Sequence, residues 1–375
     1  MVAHINYQQV KSAEDYSKAL KNDDSAPQGS RISNNLGEAL GQVPILKLGR
    51  VHELCQQHDL YFKLESCNPG GSIKEKNASY LVEQAEKMGL LKKGGTIIES
   101  SSGNFGIGLA MVGAAKDYRV KIVVDEKTSP TMRKILLALG AELVDVPLSQ
   151  ADENGSMQIA RMKVAASLTE RIPGAWYPCQ HKNPMNPVAH TLYTAREIIA
   201  SFGRCPDAIV IGISTAGQLS GISSYFKTHY PTVKIIVVDV AGSCILGTPR
   251  HAYKMTGLGL SFIPPNFRED FCDVGYSVED DLAFSLCRQI AKKEGLLLGG
   301  STGAILAGGL AYAQEQTKKK TILMINPDRG DRYLETVYDD NWISNQGINL
   351  LEGEHLNARI DDLEPVLLFK QGTKS

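Results

Sequence analysis

The chain has 375 residues, of which 43% are hydrophobic, so it is long enough for two domains that each bury a core. Its 40 lysines and arginines nearly cancel 41 aspartates and glutamates, which argues against nucleic acid or an anionic membrane as a partner and favours small molecules. No apolar run approaches the roughly 20 residues that cross a bilayer, and the seven cysteines form no CxxC pair, so we expect no membrane span, no metal site and a cytoplasmic location.

Short β-branched runs alternate with longer helical patterns along the chain. This alternation is typical of βαβ units and mostly parallel sheets, and it predicts an α/β fold. We divide the chain into an N-terminal extension (1–35), a smaller α/β domain (36–178), a larger α/β domain (179–345) and a C-terminal tail (346–375). The runs are YFKL near 61, TIIE near 96, VKIVVD near 120, AELVDV near 141, AIVIGI near 208, KIIVVDV near 234 and TILMIN near 321.

The first candidate for chemistry is Lys74, in the segment KLESCNPGGSIKEK. It follows a strand and an Asn-Pro-Gly-Gly turn, at the predicted start of a helix. A single lysine is most often a solvated surface charge. A lysine shielded near a helix N-terminus instead has a lowered pKa, which an amine needs before it attacks a carbonyl group.

Three further turns follow predicted strands, where open α/β sheets bind their ligands. The turn Ser100-Ser101-Ser102-Gly103-Asn104 is equally compatible with a helix cap and with an anion site for a substrate carboxylate. The turn from Gly212 to Gln218 has small residues that let one phosphate approach a helix N-terminus, but it is neither a Walker A nor a GxGxxG loop. In the turn GGSTG, Ser301 is either a helix cap or a hydroxyl group facing a pyridine nitrogen.

Together, and in this order, these pieces resemble the cysteine synthase and cystathionine β-synthase family of fold-type II enzymes, over about residues 36 to 342. The resemblance implies a tryptophan synthase β-like fold: two open parallel-sheet α/β domains with pyridoxal 5'-phosphate (PLP) in the cleft between them. It also implies a homodimer that acts on small amino-acid substrates.

The resemblance also implies roles for individual residues. Lys74 would hold PLP as a Schiff base and move the proton at the substrate Cα, Asn104 would bond the PLP 3'-hydroxyl group, and Ser301 would face the pyridine nitrogen. Further cofactor contacts fall at Gly212, Ser214, Thr215, Ala216, Gly217, Gln218 and Gly257, and substrate contacts at Ser101, Ser102, Gly103 and Gln180.

This chain departs from the family pattern at three places. Phe105 replaces a threonine, Lys76 replaces an arginine, and the phosphate turn reads STAGQ where the family has GTGGT. Sulfide is a very small nucleophile that needs no polar pocket. The changed sequence of the turn therefore indicates a nucleophile larger than sulfide.

The segments VVDEKTSPTMRKI, VVDVAGSCILG and PDRGDRYLETVYDDNW are similar to one branch of this family. That branch makes N-(2-amino-2-carboxyethyl)-L-glutamate from O-phospho-L-serine and L-glutamate, as a precursor of 2,3-diaminopropionate for siderophores or antibiotics. By this resemblance, Ser214 would touch the incoming glutamate. Arg133 is either a partner for a substrate carboxylate or leaving phosphate, or a solvated helix charge.

The reaction implied is PLP-dependent β-replacement on an activated L-serine. Cysteine synthase activity, with O-acetylserine or O-phosphoserine plus sulfide, is the main alternative, followed by a cystathionine-forming activity. A PLP-free regulatory protein and a nucleotide-binding protein are disfavoured by the joint presence of Lys74, Asn104 and Ser301.

Overall fold

The computed structural model describes residue 33 and residues 35–153 and 155–368. The predicted N-terminal extension therefore lies almost wholly outside the described residues.

Eleven strands in the described residues form two sheets. Seven strands pair in the order β1-β2-β10-β7-β8-β9-β11, and four pair in the order β5-β4-β3-β6. The strands are β1 (Ile45–Lys47), β2 (Asp59–Leu64), β3 (Thr96–Ser100), β4 (Arg119–Asp125), β5 (Glu142–Val146), β6 (Ala175–Trp176), β7 (Ala208–Gly212), β8 (Lys234–Val240), β9 (Val274–Val278), β10 (Thr321–Asn326) and β11 (Leu367–Leu368).

The centres of both sheets are parallel, as the sequence predicts. All neighbours in the four-stranded sheet run parallel, and in the larger sheet only the edge strands β1 and β11 run antiparallel to their neighbours. Met324 of β10 lies opposite Phe62 of β2 on one side and Val210 of β7 on the other. All three side chains are fully buried, which explains why these strands are apolar without alternation.

The helices lie between the strands along the chain, and none of the described helices is long and apolar enough to span a bilayer. They are α1 (Leu54–Gln57), α2 (Lys74–Lys87), α3 (Asn104–Lys116), α4 (Pro130–Ala138), α5 (Gln158–Arg171), α6 (Met185–His190), α7 (Arg196–Phe202), α8 (Gly217–His229), α9 (Asp280–Glu294), α10 (Gly300–Gln314), α11 (Asp340–Asn345) and α12 (Gly353–Asp361).

Helix α10 packs directly on the larger sheet because two of its residues lack a side chain. A Cβ atom added at Gly308 would lie 2.5 Å from Val238, and one at Gly309 would lie 2.5 Å from the sulfur of Met324. The close approach holds the N-terminus of α10, with Ser301, at the carboxyl end of the sheet.

The division between the two sheets differs from the predicted domain boundaries. Strands β1 and β2 fall within the predicted smaller domain, yet β2 pairs in parallel with β10 of the larger sheet. The predicted tail also contributes, because β11 pairs with β9. Apolar runs identify strands but not their partners, and the larger sheet gathers strands from three separate parts of the chain.

Candidate active site

A cavity of about 650 Å³ is lined by residues that follow strands of both sheets. A narrower recess shares five of its lining residues, including Lys74 and Asn104. The sequence-predicted residues on the walls of one or both are Lys74, Ser101, Ser102, Gly103, Asn104, Gln180, Ser214, Thr215, Ala216, Gly217, Gln218, Gly257 and Ser301.

Lys74 is the first residue of α2, as predicted, and its backbone N–H donates to Ser72 Oγ at 3.3 Å. Burial of the amine lowers its pKa from 10.5 to about 8, while the nearby carboxylate of Asp328 opposes this change. A useful fraction of Lys74 is therefore an uncharged, nucleophilic amine near neutral pH.

The lowered pKa gives a testable pH dependence. Only the uncharged amine can attack the PLP aldehyde, so we expect the rate constant of PLP capture by apoenzyme to rise about tenfold per pH unit below pH 8. Above pH 8, ionisation of Lys74 should no longer change the rate constant of PLP capture. Stopped-flow absorbance measures this rate, and a lysine inflection near the ordinary value of 10.5 would contradict the assignment.

The turn after β3 combines both interpretations offered for its serines. Ser101 Oγ accepts the backbone N–H of Gly106 at 3.0 Å, so it caps the start of α3. The hydroxyl proton of Ser101 is still available as a donor, because this contact uses only the oxygen as an acceptor. The same turn can therefore cap the helix and bind an anion in the cavity.

Glu99 joins this turn to the predicted substrate residue Gln180. Its carboxyl group accepts the backbone N–H of Ser100 at 2.8 Å and that of Gln180 at 3.2 Å. Burial raises the pKa of Glu99 to about 8, so the side chain is mostly protonated at neutral pH and adds little negative charge to the site.

The phosphate turn opens α8, whose first backbone N–H groups have no partner within the helix and favour an anion. Gln218 Nε2 donates to the carbonyl oxygen of Gly212 at 2.7 Å, and Gly212 is not among the residues that line the recess. The Ser214 hydroxyl group donates to the carbonyl oxygen of Gly259 at 3.2 Å. These side chains therefore shape the turn, and its backbone supplies the donors for an anion.

Ala216 occupies this turn with φ 61°, in the left-handed region that favours glycine. We expect Ala216→Gly to raise the free energy of unfolding by up to about 1 kcal/mol, because the steric strain it removes exceeds the entropy that glycine adds to the unfolded chain. Urea unfolding measures the change. Ala160→Gly, inside α5, is the control and should destabilise by about 1 kcal/mol. Equal destabilisation by both substitutions would contradict the strain.

Gly257 and Ser301 face each other across the recess. Gly257 has φ 91°, and a Cβ atom added there would lie 3.6 Å from Ser301 Oγ. A side chain at position 257 would therefore project into the space beside Ser301. The left-handed backbone conformation at position 257 favours glycine.

Arg133 is not among the residues that line the cavity, so nothing in its surroundings supports its interpretation as a ligand contact. Its guanidinium group pairs with Asp145 and donates to the carbonyl oxygen of Asp125 at 2.9 Å. The alternative interpretation, a helix charge at the surface, fits these contacts. The position of Arg133 on α4 turns its side chain toward β5.

Arg161 of α5 lines the same cavity as Lys74 and the Ser101 turn, and Arg332 is a second arginine on its lining. Its side chain is 11% exposed, its Nη1 atom lies 3.0 Å from Asp125 Oδ2, and its Nε atom is buried with no hydrogen-bond partner among the described residues. Arg161 could not be recognised from the sequence, because an arginine inside a helix, in MQIARMK, gives no signal of its own.

His181 lies on the same wall, next to Gln180 in sequence. Burial, and then the positive charges of Lys74 and Arg161, lower its pKa to about 3. The ring is therefore neutral at physiological pH, and its Nδ1 atom is buried with no partner among the described residues. The effect of both charges on one ring indicates that this wall of the cavity is electropositive.

Asn186 ties the substrate and phosphate turns together. Its Nδ2 atom donates to the carbonyl oxygen of Gln180 at 2.8 Å and to Thr215 Oγ1 at 3.3 Å, while Asn77 Nδ2 donates to its Oδ1 atom at 2.9 Å. A Cβ atom added at Gly217 would lie 2.2 Å from Asn186 Oδ1, so only glycine allows this contact.

Comparison with known proteins identifies the group to which this site belongs. The family model described as "Pyridoxal-phosphate dependent enzyme" matches residues 36–328. The chain belongs to the pyridoxal-phosphate dependent enzyme family. PLP is therefore its cofactor, as the sequence resemblance implied.

Relatives narrow the family further. The chain is 38% identical to a cysteine synthase of Staphylococcus aureus (strain Mu50 / ATCC 700699), over 81% of this chain and 96% of the relative. It is 35% identical to the N-(2-amino-2-carboxyethyl)-L-glutamate synthase of Cupriavidus metallidurans, over 84% of this chain and 92% of the relative. This PLP enzyme thus belongs to the cysteine synthase family of β-replacement enzymes.

Solved structures confirm the predicted fold class. The crystal structure of O-ureido-L-serine synthase matches with TM-score 0.76 and 33% identity, over 84% of this chain and 99% of that chain. The O-acetylserine dependent cystathionine beta-synthase of Helicobacter pylori matches with TM-score 0.75 and 34% identity, over 82% and 99%. The PLP enzyme described here therefore has the fold-type II architecture.

The cavity residues fit PLP. Lys74 offers an amine of lowered pKa, the N-terminus of α8 offers donors for the phosphate group, and Ser301 offers a hydroxyl group for the pyridine nitrogen. These three features lie on the wall of the same recess. Any one of them alone would not identify a PLP site.

Proposed function

We propose that the chain catalyses β-replacement on O-phospho-L-serine with L-glutamate as the nucleophile, giving N-(2-amino-2-carboxyethyl)-L-glutamate. The observation that carries the proposal is the buried, positively charged Arg161 on the wall of a cavity of about 650 Å³. An acetyl ester and sulfide need neither the charge nor the space. A leaving phosphate uses the charge, and a second amino acid uses the space.

Each step assigns one task to residues of this chain. Bound PLP supplies an electron sink that stabilises negative charge at the substrate Cα. Lys74 removes the proton from Cα and later returns it, since its lowered pKa lets one amine act as both base and acid near neutral pH. The hydroxyl groups of Ser101 and Ser102, together with Gln180, hold the substrate α-carboxylate.

Arg161 is assigned to the leaving phosphate. Its pairing with Asp125 leaves the buried Nε–H available, and a charge-assisted hydrogen bond from a guanidinium group stabilises negative charge as the Cβ–O bond breaks. The neutral ring of His181 offers Nδ1 as an acceptor for the N–H of the incoming amine.

Hydrogen bonds beside the cavity join segments of the chain that belong to the two different sheets. Gln158 Oε1 accepts the backbone N–H of Ser261 at 2.9 Å and its hydroxyl group at 3.0 Å. Ser156 Oγ lies 3.3 Å from Ser261 Oγ. These bonds hold the two segments together beside the cavity, and a closed cavity keeps water from competing with the amine for Cβ.

To test this proposal, kcat/KM of the purified holoenzyme is measured with two donors, O-phospho-L-serine and O-acetyl-L-serine. Each donor is combined with glutamate, sulfide or homocysteine. We expect the highest kcat/KM with O-phospho-L-serine and glutamate. If sulfide with either donor is used more efficiently than glutamate, the chain is a cysteine synthase, and if homocysteine is, it is a cystathionine-forming enzyme. The homodimer remains a prediction that sedimentation can check.

A further inference from the structure

Asp328 lies two residues beyond the end of β10 and is 1% exposed. It lines the recess together with Lys74 and Ser301. Its Oδ2 atom accepts Asn104 Nδ2–H at 2.7 Å and the hydroxyl group of Tyr333 at 2.5 Å. A buried carboxylate thus contacts the turn that follows β3 on the other sheet.

The Asn104 carboxamide is bound on both of its polar atoms. While Nδ2 donates to Asp328, Oδ1 accepts a hydrogen bond from Arg332 Nη1. Turning the amide over would place its oxygen against a carboxylate and its N–H groups against a guanidinium group, so electrostatics permits one orientation. In that orientation, the second Nδ2–H has no hydrogen-bond partner among the residues that the structure describes.

We propose that Asp328 is a positioning residue, which holds the Asn104 carboxamide so that its second Nδ2–H is directed to the PLP 3'-oxygen. Arg332 holds the other end of the carboxamide, because it donates both to Asn104 Oδ1 and to the carbonyl oxygen of Gly70, within the turn that precedes Lys74. We call Asp328 and Arg332 together the clamp on Asn104. The inference rests on the proposed contact between Asn104 and PLP. It does not depend on which nucleophile the enzyme uses.

Other groups face Asp328 and define what a substitution changes there. The amine of Lys74 feels its negative charge, and Arg332 and Asp331 act on it with opposite signs. Burial raises the pKa of Asp328, while its bonds from Tyr333 and Asn104 act in the other direction. A direct effect of Asp328 on Lys74 is therefore the rival explanation, and the experiment must separate the two.

A double-mutant cycle separates them, with the dissociation constant of PLP as the readout, followed by absorbance as holoenzyme is diluted. We expect Asp328→Asn to weaken PLP binding about tenfold, as loss of a charge-assisted bond allows, and Asn104→Ala to weaken it by a similar factor. With Asn104 already replaced by alanine, Asp328→Asn should weaken PLP binding less than about twofold further.

The matched control is Asp331→Asn, which removes one negative charge from the same segment. Asp331 is half exposed, and its carboxylate pairs with Arg329 at 3.1 Å. We expect it to leave the PLP dissociation constant within about twofold of the parent protein. An equal effect of Asp331→Asn and Asp328→Asn would overturn the proposal, as would a tenfold effect of Asp328→Asn that persists in the Asn104→Ala background.

A second variant covers the case in which Asp328→Asn does not fold. Arg332→Lys keeps the positive charge, but a single ammonium group cannot reproduce the two-sided contact with Asn104 and Gly70. The same cycle with Asn104→Ala should again show non-additive effects on PLP binding, and additive effects would reject the clamp. Because no substrate enters these titrations, their failure is distinct from a failure of the proposed glutamate chemistry.

Discussion

We expect Lys74→Ala to lower the rate of β-replacement by about four orders of magnitude or more, because one amine is assigned both the link to PLP and the proton transfer at Cα. The variant should also lose the absorption band of lysine-linked PLP. The helix should be unaffected, since alanine is a good helix former at the first position of α2. Steady-state kinetics and a visible spectrum of the purified variant measure both effects.

Lys87→Ala is the matched control, because Lys87 is the exposed last residue of the same helix. We expect parent-like activity and an unchanged spectrum. If Lys74→Ala kept the lysine-linked band, or lost less than about tenfold in rate, another residue would have to hold PLP and the assignment would fail.

The second large effect concerns the choice of donor. We expect Arg161→Gln to lower kcat/KM with O-phospho-L-serine by about 100-fold, because a buried charge-assisted contact with the leaving phosphate is lost. With O-acetyl-L-serine and sulfide, whose leaving group is a single carboxylate, the loss should stay below about threefold. Initial rates of the parent enzyme and the variant, measured with each of the two donor–nucleophile pairs, give the loss of kcat/KM for each pair.

Arg133→Gln is the control for this experiment, since that arginine pairs with Asp145 outside the cavity lining. It should leave kcat/KM with both donors within about twofold of the parent enzyme. An equal loss with both donors in Arg161→Gln would show a structural role for Arg161 and remove the phosphate assignment.

The elements that position the site could largely be predicted from the sequence, because they follow from local rules. Apolar β-branched runs located the parallel strands, and small or hydroxyl residues after them located the turns that open α3 and α8. The turn that opens α10 was expected to follow a strand, but it follows helix α9. The carboxyl ends of parallel strands meet at one place, so these turns share one cavity.

What could not be predicted is pairing across long sequence distances. Nothing in YFKL shows that β2 joins β10, or that β11 completes the larger sheet. The same limitation left the role of Arg133 open and missed Arg161, since both are helix arginines and only tertiary structure turns one of them into the cavity. Asp328 could have been predicted from the sequence, because it follows β10 by two residues and residues after parallel strands line ligand sites.

The most direct test of the proposed chemistry traces the nucleophile's nitrogen. Holoenzyme is mixed with O-phospho-L-serine, sulfide and ¹⁵N-labelled L-glutamate in equal concentrations, and the products are identified by mass spectrometry. We expect N-(2-amino-2-carboxyethyl)-L-glutamate that retains the ¹⁵N label as the main product, with release of phosphate. Cysteine as the main product, with the labelled glutamate unconsumed, would contradict the proposed function.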